Sequence, residues 1–409
     1  MAELYNFQKV AIDDLINGKH FAILGTGCGK SAIMLRWLAS QNKKKVLIVT
    51  TPSKRDSGDF LVEADTWNGE KWRAGLKKFE VISWHALSKW VSQHYNDLSE
   101  WAFAFDEVAK AKAGVSSGMG KAFLKITINS LSPWAGFTAT PGDNWLHFYP
   151  YFTACGFVRN KTSFKRRFAI EQNYKGFPEI IGWHDEDTLK LWWKVISTTP
   201  DTTQMFRELP SETHKVIEFK KPKNYDKLRK TRIGSDGEFI ETTMGLCHAL
   251  REISFTKEKQ QWIEDFIEGL GTNAVLFYNY IEEGDKLEEI IKKANKNAKV
   301  WRIDGKHHEI PTANTIGKYD IVLCQWQSGS EALNLQFINY WVSVTPTYSY
   351  ITSVQARGRI KRIGQQRPMF FIYLKCDGIE TAVYDALKNK SDFSEEVYIN
   401  GGKNGKMEK

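Results

Sequence analysis

HFAILGTGCGKSAIMLRWLA, residues 20–39, decides the fold. An apolar run, a glycine-rich loop and a stretch with apolar residues at helical spacing follow one another directly, the pattern of strand, tight loop and helix. Glycines let successive backbone amides converge on phosphate oxygens, and the start of the helix adds a favourable dipole. In that frame Gly25, Thr26, Gly27, Cys28 and Gly29 line a phosphate chain, Lys30 reaches its terminal phosphates and the Ser31 hydroxyl ligates magnesium. The strict GxxxxGK[ST] pattern would put glycine at position 24, where this chain has Leu24, so the match is to the shorter GxGK[ST]. A glycine turn with no ligand is the plainer alternative.

Outward from this stretch, the first ~150 residues alternate short apolar runs with helical or polar ones, as βαβ units of a parallel sheet do. The strand candidates are HFAILG (20–25), KKVLIVTT (44–51), FEVISW (79–84), WAFAFDE (101–107) and WAGFTAT (134–140). Their motifs sit at carboxyl ends, where open α/β sheets bind ligands. Asp106 and Glu107 end one such run, so Asp106 is a candidate to hold magnesium through water and Glu107 to orient and deprotonate an attacking water. A solvated strand end is the bland reading of the same pair. Gln8, at the head of a helical stretch, could pair with an adenine edge, although one glutamine is as easily a surface residue.

A second series of apolar runs begins near residue 270: AVLFYNY (274–280), KVWRID (299–304), YDIVLCQ (319–325), YWVSVT (340–345) and MFFIYLKC (369–376). The expected fold is therefore α/β, two tandem parallel-sheet domains at 1–150 and 216–400. A mostly helical insertion and linker occupies 151–215, and the glycine- and lysine-rich tail 401–409 is expected to be disordered. Trp192 and Trp193, adjacent and so facing different ways, are expected to pack within the insertion rather than to separate strands.

The hydrophobic fraction of 42% with 26% charged residues is that of a soluble globular protein, and no apolar run approaches the ~20 residues that cross a bilayer. The opening MAELYNFQKV has no secretion-signal pattern, which points to a cytoplasmic location. Cys28, Cys155, Cys247, Cys324 and Cys376 are scattered and odd in number, so they read as free thiols. The net charge of +9 suits a polyanionic partner.

QARGRIKRIGQ, residues 355–365, completes a recognisable order: GTGCGKS, FDE, TATP (138–141), then this arginine-rich ending. The chain resembles superfamily-two helicases and translocases, specifically the Swi/Snf-like branch, whose last motif reads QxxGRxxRxGQ. Gln355, Gly358, Arg359, Arg362, Gly364 and Gln365 fill that pattern. The resemblance implies RecA-like domains, ATP and Mg2+ as cofactors, DNA as partner, and Arg359 and Arg362 as fingers on the ATP phosphates, with Gln355 beside them. A basic helix on nucleic-acid phosphates is the alternative for the arginines. It also implies that Gln8 reads adenine, that Thr51, Pro52, Ser53 and Lys54 with Ser328 and Gly329 contact a nucleic-acid backbone, and that Thr138 and Thr140 couple hydrolysis to movement. Replication or recombination proteins are the expected protein partners, and the size is typical of phage or bacterial members.

The chain departs from the family where a DEAH box has histidine and this sequence has Ala109, and where Ser330 and Ala332 replace glycines. The expected activity is an ATP-dependent DNA translocase or helicase; an RNA helicase and a binding module with a silent motor are the alternatives.

Overall fold

The computed structural model describes residues 3–129, 131–174, 177–307, 309–329 and 333–400. The chain divides into two compact units, Met1–Glu208 and Leu209–Lys409. In the first, α1 (Asn6–Ile16), β1 (Phe21–Ile23), α2 (Lys30–Ser40), β2 (Lys45–Thr50), α3 (Pro52–Asp56), β3 (Lys78–Ser83), β4 (Trp101–Asp106) and β5 (Trp134–Thr138) precede a hairpin of β6 (Ala169–Tyr174) and β7 (Phe177–Trp183) and the short β8 (Ser197–Thr198). The second contains β9 (Glu212–Phe219), β10 (Ala274–Tyr278), β11 (Val300–Ile303), β12 (Ile321–Gln325), β13 (Tyr340–Ser343) and β14 (Met369–Cys376).

Among the described residues the strands form two six-stranded sheets, ordered β3-β2-β4-β5-β1-β8 and β11-β12-β10-β13-β14-β9, and the separate β6-β7 pair. Every pairing within the two large sheets is parallel. Strands covered on both faces read as continuous apolar runs rather than alternating ones, and β4 (WAFAFD) and β10 (AVLFY) are buried along their whole length. The expected α/β fold of two parallel-sheet domains is the observed one.

The stretch 151–215 holds strands as well as the expected helices. It contains the helices Lys161–Phe168 and Glu186–Ile196, but also the antiparallel hairpin and β8, which pairs with β1. Trp192 stacks on Phe157 with ring centroids 4.9 Å apart, and Trp193 meets Phe148 edge-on at 4.9 Å. Both pack against the core of the first unit. β9 begins at Glu212, before the expected boundary at 216, and pairs with β14 from Glu212 to Phe219. As an exposed edge strand with charges at Glu212, Lys215 and Glu218, it offers no apolar run to read.

The second sheet is covered on one face by a cluster around Ile263, Leu287 and Leu323, and on the other by one around Phe277, Trp341 and Phe371. All five cysteines are free thiols. No helix among the described residues is long and apolar enough to cross a membrane. The tail 401–409 lies outside the described residues.

Candidate functional site

The chain leaves β1 with the Leu24 amide donating to the Thr138 carbonyl at 3.1 Å, which ties the loop stem to the end of β5. Gly27 and Gly29 then take φ of 80° and 69°, a left-handed region that side chains with a Cβ rarely enter. Gly29 directly precedes α2, whose Ala32, Ile33, Leu35 and Leu38 are buried and anchor the helix. The helix amino terminus therefore faces the loop with its unpaired amides.

Side chains brace the loop from two sides. Lys30 Nζ folds back and donates to the carbonyls of Leu24 at 3.2 Å and Gly25 at 3.3 Å. Gln8 is only 1% exposed; its Nε2 donates to the Cys28 carbonyl at 3.1 Å and its Oε1 accepts from the Tyr5 amide at 3.0 Å. The glutamine thus ties the start of α1 to the glycine loop, a role the sequence reading did not include.

The acidic pair lies two strands away. Val49 pairs with Phe105, so the next residues, Thr50 and Asp106, lie side by side at the strand ends. The Thr50 hydroxyl donates to Asp106 Oδ2 at 2.7 Å, and Trp84 Nε1 donates to the Asp106 carbonyl, also at 2.7 Å. Glu107 follows with φ 50° and ψ 52°, a left-handed conformation that is uncommon for a residue with a side chain. Backbone departures of this kind gather at functional sites. The turn lets Glu107 Oε2 accept the Thr138 hydroxyl at 3.1 Å. Thr138 Oγ1 in turn accepts the Thr140 amide at 3.2 Å, so the start of TATP is hydrogen-bonded to the acidic pair.

Lys54 is the departure from expectation. Pro52 and Ser53 are exposed on α3, as a nucleic-acid contact needs, and Thr51 is buried as the residue preceding the helix. The Lys54 side chain instead runs inward, donating to Ser31 Oγ at 2.8 Å and lying 3.4 Å from Asp106 Oδ2. Ser31 and Asp106, the two residues assigned to magnesium, are thereby brought to a single point by one cation. A hydroxyl and a carboxylate oxygen are the hard donors that Mg2+ takes, and that ion usually completes its shell with water and substrate phosphates. No group of three or more His, Cys, Asp or Glu among the described residues is placed to hold a metal by itself.

In the second unit, Gln355 lies half-buried in the helix Tyr350–Arg357, and Arg359 and Arg362 occupy the turn that follows. Arg362 Nη1 donates to the Leu333 carbonyl at 3.3 Å and to Asn334 Oδ1, and the Leu335 amide donates to the Arg359 carbonyl at 3.1 Å. The SGSEALN segment and the arginine segment are therefore joined. Gln365 is buried and makes the joint rigid: Nε2 donates to the Ile338 carbonyl at 2.8 Å and Oε1 accepts the amides of Gln366 and Arg367 at 3.0 Å each. Ser328 and Gly329 lie in the short helix Trp326–Gly329. Ser330 and Ala332 lie outside the described residues.

The family described as helicase conserved C-terminal domain matches residues 258–364, a span that includes Gln355, Arg359 and Arg362. No curated protein matches the chain in sequence. Among solved structures, S. cerevisiae Dbp5 bound to RNA and ADP BeF3 is similar with a TM-score of 0.54 and 10% identity, over 95% of this chain and 88% of that one. The ATP-dependent Type ISP restriction-modification enzyme LlaBIII bound to DNA is similar with a TM-score of 0.56 and 12% identity, over 97% of this chain. This chain spans 30% of that enzyme. At such identities the likeness is one of fold, that of RecA-like helicase structures.

Proposed function

We propose that the chain is an ATP-driven motor that translocates along DNA, or unwinds it, with little sequence specificity. The observation that carries this reading is the gathering of Lys30, Ser31, Asp106, Glu107 and Thr138 at the carboxyl ends of β1, β4 and β5. Loop amides and Lys30 bind the phosphates. Ser31 and Asp106 hold magnesium, which when bound supplies positive charge to the phosphate oxygens. Glu107, steadied by Thr138, orients the attacking water and accepts its proton. Gln8 retains one N–H and one lone pair beyond its two bonds, which suits the adenine edge. Arg359 and Arg362 supply the compensating charge of arginine fingers, with Gln355 beside them.

The Swi/Snf-like ending, the +9 charge and the likeness to a DNA-bound enzyme support DNA as the track. Exposed Pro52 and Ser53 with Ser328 and Gly329 are the proposed backbone contacts, so binding weakens steeply with salt. The likeness to an RNA-bound structure favours a second reading, an RNA helicase.

ATP turnover measured with duplex DNA, single-stranded DNA and RNA tests both. Duplex or single-stranded DNA is expected to stimulate turnover more than RNA, and Lys30→Ala and Glu107→Gln to abolish the stimulated part. Stimulation by RNA alone transfers the proposal to the second reading, and full turnover in either variant contradicts both.

A further inference from the structure

The two oxygens assigned to magnesium already share a cation supplied by the chain itself. Lys54 Nζ donates to Ser31 Oγ at 2.8 Å and stands 3.4 Å from Asp106 Oδ2, where the lysine side chain is 20% exposed and the aspartate side chain 5%. The Phe60 ring lies 4.4 Å from the ammonium and adds a cation–π contact. The Thr50 hydroxyl fills a further position on the same carboxylate oxygen.

We propose that Lys54 is a built-in counter-cation that competes with the divalent metal for the Ser31–Asp106 pair, so that metal–nucleotide binding must expel its ammonium. The inference rests on the nucleotide-site reading proposed above. A nearly buried carboxylate without a neutralising partner is unfavourable, and the ammonium meets that need before metal arrives. A divalent ion held by Ser31 and, through water, by Asp106 would need the space the ammonium takes between those two oxygens, and the repulsion of the two cations would be only partly screened in so enclosed a place. Lysine suits the task because a compact charge on a flexible four-carbon stem can swing away without moving the backbone of α3. The neighbouring Arg55 is committed to Asp56 at 2.7 Å and does not take part. The observed metal affinity is then the intrinsic one reduced by the fraction of molecules in which the pair is clear of Lys54.

Manganese binding in the presence of ADP, followed by the electron paramagnetic resonance of free Mn2+ with the full-length chain, tests this without turnover. Lys54→Met, which keeps the stem and removes the charge, is expected to bind Mn2+·ADP about tenfold more tightly than the unsubstituted chain, the size of one charged hydrogen bond. Lys54→Arg is expected to stay close to the unsubstituted chain. Equal or weaker binding by a folded Lys54→Met overturns the proposal. If that variant does not fold, the unsubstituted chain carries the test through acetylation of Lys54 by an N-hydroxysuccinimide ester, read by mass spectrometry. Adding Mg2+ to the ADP-bound chain is expected to raise the rate severalfold over ADP with EDTA, and an unchanged or lower rate overturns the proposal. Failure of the unsubstituted chain and of Lys54→Met alike to bind Mn2+·ADP refutes the nucleotide-site reading, and this inference with it.

Discussion

Thr138 shows how much rests on one hydroxyl: it donates to Glu107 Oε2 and accepts the Thr140 amide. Thr138→Val preserves shape and removes both bonds, leaving the proposed water-activating carboxylate unanchored. Turnover is expected to fall roughly 10- to 100-fold, the range for displacing a reacting group by about an ångström, while ADP affinity stays unchanged. Single-turnover kinetics beside an ADP titration check this, and unchanged turnover would make Thr138 a purely structural residue. The places of Lys30 and Ser31 at the start of α2, and of Asp106 and Glu107 at the end of β4, were readable from short motifs. The destination of Lys54 was not, since a long, flexible side chain is directed by its partners and not by its place in a motif. Thr50 could have been found: as the last residue of the apolar run that precedes TPSK, it ends a strand as Asp106 does.

At the scale of elements, the starts of β2 and β4 are joined by a small polar cluster. Asp97 accepts from Lys45 Nζ at 2.9 Å and from Trp101 Nε1 at 3.1 Å, with His94 Nδ1 at 3.2 Å from its other oxygen. Burial alone would raise the Asp97 pKa, but these three partners outweigh it and lower the value to about 2. A carboxylate lowered in this way is more acidic folded than unfolded, so its contribution is fully present above pH ~4 and is lost as pH falls toward 2. Melting temperatures measured from pH 5 to pH 2 are expected to drop less steeply for Asp97→Asn than for the unsubstituted chain; parallel curves would contradict the assignment. The buried strands were legible as apolar runs because both faces of each sheet are covered. β9 was missed because an edge strand exposed along most of its length, with charges at Glu212, Lys215 and Glu218, resembles a linker, and β8, two residues long, carries no pattern at all.

For the whole molecule, the order of motifs along the chain indicated two parallel-sheet units, and both are present, each with its own core. The helical insertion was only partly legible, because it also holds an antiparallel hairpin, and because Trp183, Trp192 and Trp193 pack against the core of the first unit. Movement driven by ATP requires the nucleotide to bind one state of the molecule better than another. The proposed sources of that difference are Lys30 in the first unit and the pair Arg359 and Arg362 in the second. The decisive measurement is ATP turnover at saturating duplex DNA for Arg359→Ala/Arg362→Ala, with ADP binding measured on the same preparation. Turnover is expected to fall by ~10³ or more, as when an arginine finger is removed, with ADP binding retained; turnover equal to that of the unsubstituted chain would contradict the proposed finger role of Arg359 and Arg362.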